Sequence, residues 1–234
     1  LQWVRDNALA MGGDSNNVTI FGQSAGSQSV CSLMVSPLAQ GLFHKAIGQS
    51  AACINPLSVD DANGHLRGSA LVDSLGADSL ETLQAADADA LLSAMVGSGW
   101  DAGSRIVIDG DMLREWPSQT YAAGRQAKIP LMLGFLANEG NQLFPVDQSV
   151  TRAGLDGFLR YVAGDMAEEL KAEYDAQNFT PGQLQHAVLT DIFMAFGMQR
   201  WAEYHALADQ PTYFYFLDHV PPAFHLYMPD QPYL

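Results

Sequence analysis

The sequence predicts an α/β fold with a mostly parallel sheet, in a single domain over residues 1–234. A strand–helix–strand unit is predicted near the amino end. It consists of a β-branched run at 18–21, helical spacing at 24–35 and a strand-like run at 45–49. Such a unit favours parallel pairing of its two strands. Two later apolar runs, separated by a long helical region, add strands to the same sheet, and no repeat or low-complexity linker divides the chain.

The remaining elements follow from hydrophobic spacing and from glycine and proline positions. The later strands are predicted at 129–135 and 212–217, and the second of these is dense in aromatic residues. Helices are predicted at 1–11, ended by Gly12-Gly13, over 58–98 as two or three helices, and over 155–207 with a break near Thr180-Pro181-Gly182.

Composition excludes several functional classes. Lys and Arg number 11 against 26 Asp and Glu, a net charge of −15, so nucleic-acid phosphates and anionic membranes would be repelled. No apolar run reaches the roughly 18 residues of a membrane span, and the first residues of this sequence show no basic region followed by an apolar one. The two cysteines, Cys31 and Cys53, lack metal-finger spacing, and we expect two buried free thiols rather than a disulfide.

The motif Gly22-Gln23-Ser24-Ala25-Gly26 lies between a short apolar strand and an amphipathic helix. This is the setting of a nucleophile elbow, in which an abrupt strand-to-helix turn strains the serine backbone and glycines on either side permit close approach. The Ser24 hydroxyl would then be open to a substrate carbonyl, and the Ala25 N–H could stabilise an oxyanion. The alternative is an ordinary helix for which Ser24 is the N-cap.

A nucleophilic serine needs a base, and the base needs an acid to orient it. Glu139 follows directly after an apolar strand, where the acid of such an arrangement is expected, although it could equally be a turn carboxylate in Asn138-Glu139-Gly140. Asp109 competes for the acid role. Its place before a glycine turn favours a structural role.

Five segments in order resemble the type-B carboxylesterase family, which includes bacterial carboxylesterases, lipases and cholinesterases: LQWVRDN, GGDSNNVTIFGQSAGS, LFHKAIGQS, VIDGDML and LMLGFLANEG. The resemblance runs along essentially the whole chain and is densest before Pro145. It implies the α/β-hydrolase fold, with helices on both faces of the sheet and with truncation at both ends of this chain.

The resemblance also implies roles for individual residues. Ser24 matches the family nucleophile, Glu139 the acid of the catalytic triad, and Ala25 the oxyanion donor that follows the nucleophile. Ser50 matches a buried serine close to the site. Gln23 stands where cholinesterases carry a glutamate, which favours neutral esters over cationic choline esters.

Two family features are not found in the sequence: the glycine-rich oxyanion loop upstream of the elbow, and the Gly-x-x-His segment that carries the base. The six histidines are His44, His65, His186, His205, His219 and His225. The first two precede Glu139, the next two fall inside helices, and the last two resemble the stretch upstream of the catalytic loop. We therefore expect the base beyond Leu234, and an internal fragment that is inactive by itself.

The predicted function is hydrolysis of small neutral carboxylic esters through an acyl-enzyme, without metal or organic cofactor. One alternative is a non-catalytic esterase-like adhesion or binding domain, which the presence of Ser24 disfavours. Another is a different serine acyl hydrolase on the same fold, such as a peptidase or thioesterase. The sequence leaves the acyl preference, the oligomeric state and the choice between a secreted and a cytoplasmic location open.

Overall fold

The computed structural model describes residues 1–54, 59–60, 63–97, 106–139, 144–175 and 178–219. The strands are β1 (Thr19–Gln23), β2 (Lys45–Gln49), β3 (Val59–Asp60), β4 (Ile106–Val107), β5 (Leu131–Leu136) and β6 (Thr212–Leu217). The α-helices are α1 (Gln2–Asn7), α2 (Ala25–Val35), α3 (Asn63–Leu75), α4 (Leu80–Gln84), α5 (Ala88–Gly97), α6 (Pro117–Ala122), α7 (Arg152–Ala163), α8 (Ala167–Asp175), α9 (Pro181–Thr190) and α10 (Phe196–Leu207). A π-helical segment, Asp191–Ala195, joins the last two.

The predicted parallel sheet is confirmed. Its four described strands run in the order β1-β2-β5-β6, and every neighbouring pair is parallel. In the register, Gln23 lies beside Gln49 and Gln49 beside Gly134, so the carboxyl ends of three strands reach one edge together. A separate two-stranded sheet pairs β3 with β4. In sheets of parallel strands joined by helical crossovers, ligands bind at the carboxyl ends of the strands. A functional site is therefore expected at this edge.

One face of the sheet holds the main core. Leu131 and Leu133 of β5 are fully buried there, against Met34 of α2 and Met198 and Trp201 of α10. Burial of such side chains stabilises each by about 1.5–3 kcal/mol relative to exposure. This core therefore fixes α2, and with it the residue that immediately precedes α2, against the centre of the sheet.

The opposite face is less covered by the described residues. The apolar run at 18–21 is typical of a buried strand, but Phe21 of β1, the outer strand of the described sheet, is 75% exposed. The same face exposes Met132, Leu136, Tyr213 and Leu217 on β5 and β6. A β-branched run identifies a strand but does not show how many layers cover it.

The helical predictions are confirmed with two changes. Val59–Asp60, within the region 58–98 predicted as helical, form strand β3 ahead of the three helices α3, α4 and α5. The segment predicted as a single helix over 1–11 is α1 followed by a 3₁₀ turn, Leu9–Met11, and it ends at Gly12 with φ of 77°. The predicted break near residue 180 is the N-terminus of α9, where Thr180 and Gln183 form a capping box. No helix in the described part of the chain is long and apolar enough to cross a bilayer.

The prediction of two free thiols is wrong. Cys31 of α2 and Cys53, four residues beyond β2, form a disulfide whose Cα atoms are 5.6 Å apart, and both residues are fully buried. The Cys53 N–H also donates to Cys31 Sγ, at 3.1 Å. Sequence spacing alone does not reveal that a helix and a loop bring these residues together. The disulfide ties α2 to the segment that follows β2.

Replacing both cysteines with alanine is expected to lower the free energy of unfolding by about 3 kcal/mol, since the disulfide closes a loop with a sequence separation of 22. Urea unfolding with and without dithiothreitol measures this. Reductant should destabilise the parent protein and leave the double variant unchanged. A thiol count of two in the unreduced, denatured parent protein would contradict the disulfide.

Candidate functional site

Ser24 lies at the turn between β1 and α2 with φ of 55° and ψ of −120°. A non-glycine residue in this region is strained and persists only where its surroundings hold it. Two contacts do so: the Ser24 N–H donates to the Gln49 carbonyl at 2.9 Å, and the Gln28 N–H donates to the Ser24 carbonyl at 3.0 Å. Its side chain makes no capping hydrogen bond, so the alternative in which Ser24 is an ordinary N-cap is wrong.

The glycines of the motif have different roles. A Cβ added at Gly22 would lie 2.4 Å from the Gly26 carbonyl carbon, so the strand and the helix meet there with no room for a side chain. At Gly26, an added Cβ would meet no described atom within 4 Å. The prediction that both glycines permit close approach is therefore confirmed for Gly22 and wrong for Gly26. Gln23 ends β1 and is exposed.

Ser50 repeats the geometry of Ser24 on the neighbouring strand. It follows β2 directly, has φ of 54°, and donates its N–H to the Gly134 carbonyl at 2.9 Å. The two serines thus continue the β1–β2 and β2–β5 ladders by one residue each. Ser50 is 4% exposed, in keeping with the buried position that the family resemblance implies.

Glu139 lies at the same edge of the sheet, three residues beyond β5. Its Oε1 accepts the Leu136 N–H at 2.8 Å, and the residue is 7% exposed. The structure therefore places Ser24, Ser50 and Glu139 at the carboxyl ends of three adjacent parallel strands, as the sequence predicted for the first and the last.

Thr190 and Tyr215 contribute to this edge and were missed from sequence. Thr190 is the last residue of α9, is 6% exposed, and donates its hydroxyl to the Glu139 carbonyl at 2.9 Å. Burial raises the pKa of Tyr215 on β6, and the negative charge of Glu139 raises it further. Tyr215 was noticed only as part of an aromatic strand, and no sequence signal links Thr190 to a residue 51 positions earlier.

Ala25 is the first residue of α2, and its N–H is one of the amides that have no acceptor within a helix. The competing acid, Asp109, has a structural role. Its Oδ1 accepts the N–H groups of Asp111, Met112 and Leu113, with that of Leu113 making the largest contribution to the lowered pKa of Asp109. The prediction that Asp109 serves a turn is therefore confirmed.

Three histidines are held by hydrogen bonds to groups other than Ser24. His44 Nδ1 accepts the Val18 N–H at 3.2 Å, and His186 Nδ1 lies 2.6 Å from the Phe144 carbonyl oxygen. His205 is fully buried, with Nε2 2.8 Å from the Ile129 carbonyl oxygen, and burial lowers its pKa. The His65 side chain and His225 lie outside the described residues, and His219 is exposed beyond β6. His44, His186 and His205 are therefore structural histidines.

Within the described ranges, no group of three or more His, Cys, Asp or Glu side chains could hold a metal ion. The expectation of a site without metal or organic cofactor stays a prediction.

The sequence profile of the Carboxylesterase family matches residues 1–232. The chain belongs to the carboxylesterase family. The para-nitrobenzyl esterase of Bacillus subtilis (strain 168) is 35% identical over 183 residues, which are 74% of this chain and 37% of that protein. The human cocaine esterase is 30% identical over 250 residues, covering 94% of this chain and 43% of the relative.

Solved structures of this carboxylesterase family share the fold. The Geobacillus stearothermophilus carboxylesterase EST55 superposes with a TM-score of 0.80 at 28% sequence identity, over 99% of this chain and 52% of that one. The predicted α/β-hydrolase fold is confirmed by this match. The chain spans about half the length, or less, of these three carboxylesterases.

Proposed function

We propose that this chain supplies the nucleophile and the acid of a serine carboxylic-ester hydrolase. The observation that supports it most strongly is the backbone of Ser24, held at a positive φ at the carboxyl end of β1 with no capping bond on its side chain. A hydroxyl presented in this way, at the edge that also carries Glu139, is suited to attack a carbonyl. Membership of the carboxylesterase family supports ester substrates.

In the proposed mechanism, a histidine removes the Ser24 proton as the Ser24 oxygen attacks the ester carbonyl carbon. Glu139 orients that histidine and stabilises its cationic form. The Ala25 N–H, at the positive end of α2, donates to the oxyanion of the tetrahedral intermediate. Collapse of the intermediate transfers the histidine proton to the leaving alcohol and forms the acyl-enzyme, which water then hydrolyses by the same steps.

We infer that the base comes from outside residues 1–234. The ring nitrogens of three histidines already contact backbone groups: His44, His186 and His205. If another segment supplies the catalytic imidazole, these three contacts stay intact. Under this proposal the isolated chain has negligible turnover, because loss of the base alone costs several orders of magnitude in rate. Gln23, which carries no charge, supports neutral rather than cationic esters as substrates.

A fluorophosphonate tests the proposal on the chain as it stands. We expect slow phosphonylation of Ser24, located by peptide mass spectrometry, and an increase of at least about tenfold when millimolar imidazole replaces the proposed base. Ser24→Ala should abolish the adduct, and Glu139→Gln should reduce the imidazole-dependent part. The control is Ser29→Ala, which removes an exposed serine of the same helix and should label at the parental rate.

Two results would contradict parts of the proposal separately. Adducts that persist in Ser24→Ala would refute the nucleophile. Rapid labelling of Ser24 without imidazole would show that the chain holds its own base and leave the nucleophile intact.

A further inference from the structure

Two buried side chains of α9 are bonded to the backbone of the segment that follows β5. The Thr190 hydroxyl donates to the Glu139 carbonyl at 2.9 Å, and His186 Nδ1 lies 2.6 Å from the Phe144 carbonyl oxygen. A carbonyl oxygen can only accept, so Nδ1 is the donor. Each of the two side chains is 6% exposed. Water therefore competes little for these hydrogen bonds.

A third contact lies one turn earlier on the same face of α9. An added Cβ at Gly182 would be 2.1 Å from the Asp147 carbonyl oxygen, so the helix and the segment touch there backbone to backbone. Gly182, His186 and Thr190 are spaced by four residues, which places them on one face of the helix. Their three partners follow in the opposite order along the chain. The described residues of this segment therefore follow the axis of α9 in the opposite direction.

Helix α9 is anchored on its other side. Leu184 and Val188 are each two residues away from a member of this set, which is about 200° around the helix. They are 5% and 1% exposed and pack against Leu155 and Leu159 of α7. One side of α9 is thus fixed in an apolar core, while the opposite side is bonded to the segment that carries Glu139.

The carboxylate of Glu139 follows the position of its own backbone. Its Oε1 accepts the Leu136 N–H at 2.8 Å, and the residue is 7% exposed. Because only two residues separate the pair, a displaced backbone at position 139 carries the carboxylate away from the Leu136 N–H. The state of this N–H therefore reports whether the carboxylate is in place.

We propose that Gly182, His186 and Thr190 form a positioning row on α9, which holds Glu139 in the orientation in which its carboxylate serves the catalytic base. The three residues contact the backbone of the segment rather than the reacting atoms, and so they act through Glu139. This inference rests on the proposed role of Glu139 as the acid. Its structural part, that α9 keeps the carboxylate in place, can be measured without any ester hydrolysis.

Hydrogen exchange of the Leu136 N–H, followed by NMR, tests the structural part. Thr190→Val keeps a side chain of similar shape and removes the donor, so we expect the Leu136 N–H to exchange at least about tenfold faster. Thr190→Ser retains a hydroxyl and should exchange within about twofold of the parent protein. The Ser24 N–H, which donates to the Gln49 carbonyl, is the internal control and should exchange at the parental rate in both variants.

A second variant tests whether the row acts as a unit. Gly182 is about 12 Å from Thr190 along the helix axis. In Gly182→Ala the added methyl group displaces the backbone at Asp147, and we expect the Leu136 N–H to exchange at least about threefold faster. Gly157→Ala, in α7, adds a methyl group that meets no described atom within 4 Å and is the matched control.

Fluorophosphonate labelling of Ser24 in millimolar imidazole tests the functional part. Thr190→Val should lower the imidazole-dependent rate at least about threefold, because the acid is no longer held in orientation. In the Glu139→Gln background the same change should have no further effect, since a positioning residue acts only through the acid. Thr120→Val removes a buried hydroxyl that donates to Glu115 and should label at the parental rate.

Three results would overturn the proposal. These are unchanged exchange of the Leu136 N–H in Thr190→Val, equal acceleration of the Leu136 and Ser24 amides, and an equal effect of Thr190→Val on labelling with and without Glu139. Failure of the proposed function itself would look different. Glu139→Gln alone would then leave the labelling rate unchanged while Thr190→Val still accelerated exchange at Leu136, and the row would hold a carboxylate without a part in the reaction.

Discussion

Replacement of Gly22 with alanine is expected to lower the free energy of unfolding by about 3–5 kcal/mol, close to the upper end for single substitutions. The added Cβ would lie 2.4 Å from both the carbonyl carbon and the carbonyl oxygen of Gly26. These are backbone atoms of the first turn of α2, so no side-chain rotation can relieve the clash. Either the helix moves away from β1, or the turn that carries Ser24 rearranges.

The same motif provides a matched control. Gly26→Ala adds the same methyl group inside α2, where it meets no described atom within 4 Å. Its effect should lie between no change and about 1 kcal/mol of stabilisation, because alanine favours the helix. Urea unfolding followed by circular dichroism measures both variants. Equal destabilisation by the two substitutions would contradict the close approach at Gly22.

Truncation of Trp201 to alanine is expected to cost about 3–5 kcal/mol, since a large buried side chain is lost and a cavity is left behind. Trp201 is fully buried, and its ring meets Tyr121 edge to face with centroids 6.3 Å apart. On its other side the indole lies over Gly48 of β2, where an added Cβ would be 2.4 Å from Trp201 Cζ3. The indole of Trp201 therefore occupies the space that a side chain at position 48 would need.

A double-mutant cycle tests this complementarity. Gly48→Ala alone should cost about 1–3 kcal/mol through the clash with the indole. In the Trp201→Ala background the ring is gone, and the same change should cost less by about 1 kcal/mol or more. The matched control is Trp3→Ala, which truncates a tryptophan that is 64% exposed and should change stability by no more than about 0.5 kcal/mol. Strict additivity of the two core substitutions would contradict the shared packing.

Several features of the site were accessible from the sequence because they depend on near neighbours in the chain. The strand at Lys45–Gln49, the sharp turn at Ser24 and the position of Glu139 just beyond β5 follow from local patterns of apolar, glycine and turn residues. Steric exclusion at a turn acts over a few residues, and so a short motif is enough to specify it.

The contacts that fix these residues in the fold could not be predicted from the sequence. Thr190 contacts Glu139 across 51 positions of sequence, and the Cys31–Cys53 pair was expected to be two thiols. Each of these facts depends on which segments pack against each other, and hydrophobic spacing does not encode that.

By itself, the sequence determined the class of fold, the strand–turn–helix that presents Ser24 and the segment that carries Glu139, since each arises from interactions within a few residues. Only the tertiary structure decided the disulfide, the Ser50 conformation that parallels Ser24 and the hydrogen bond from Thr190 to the Glu139 carbonyl. These depend on distances between segments far apart in the chain, which burial of the common core fixes.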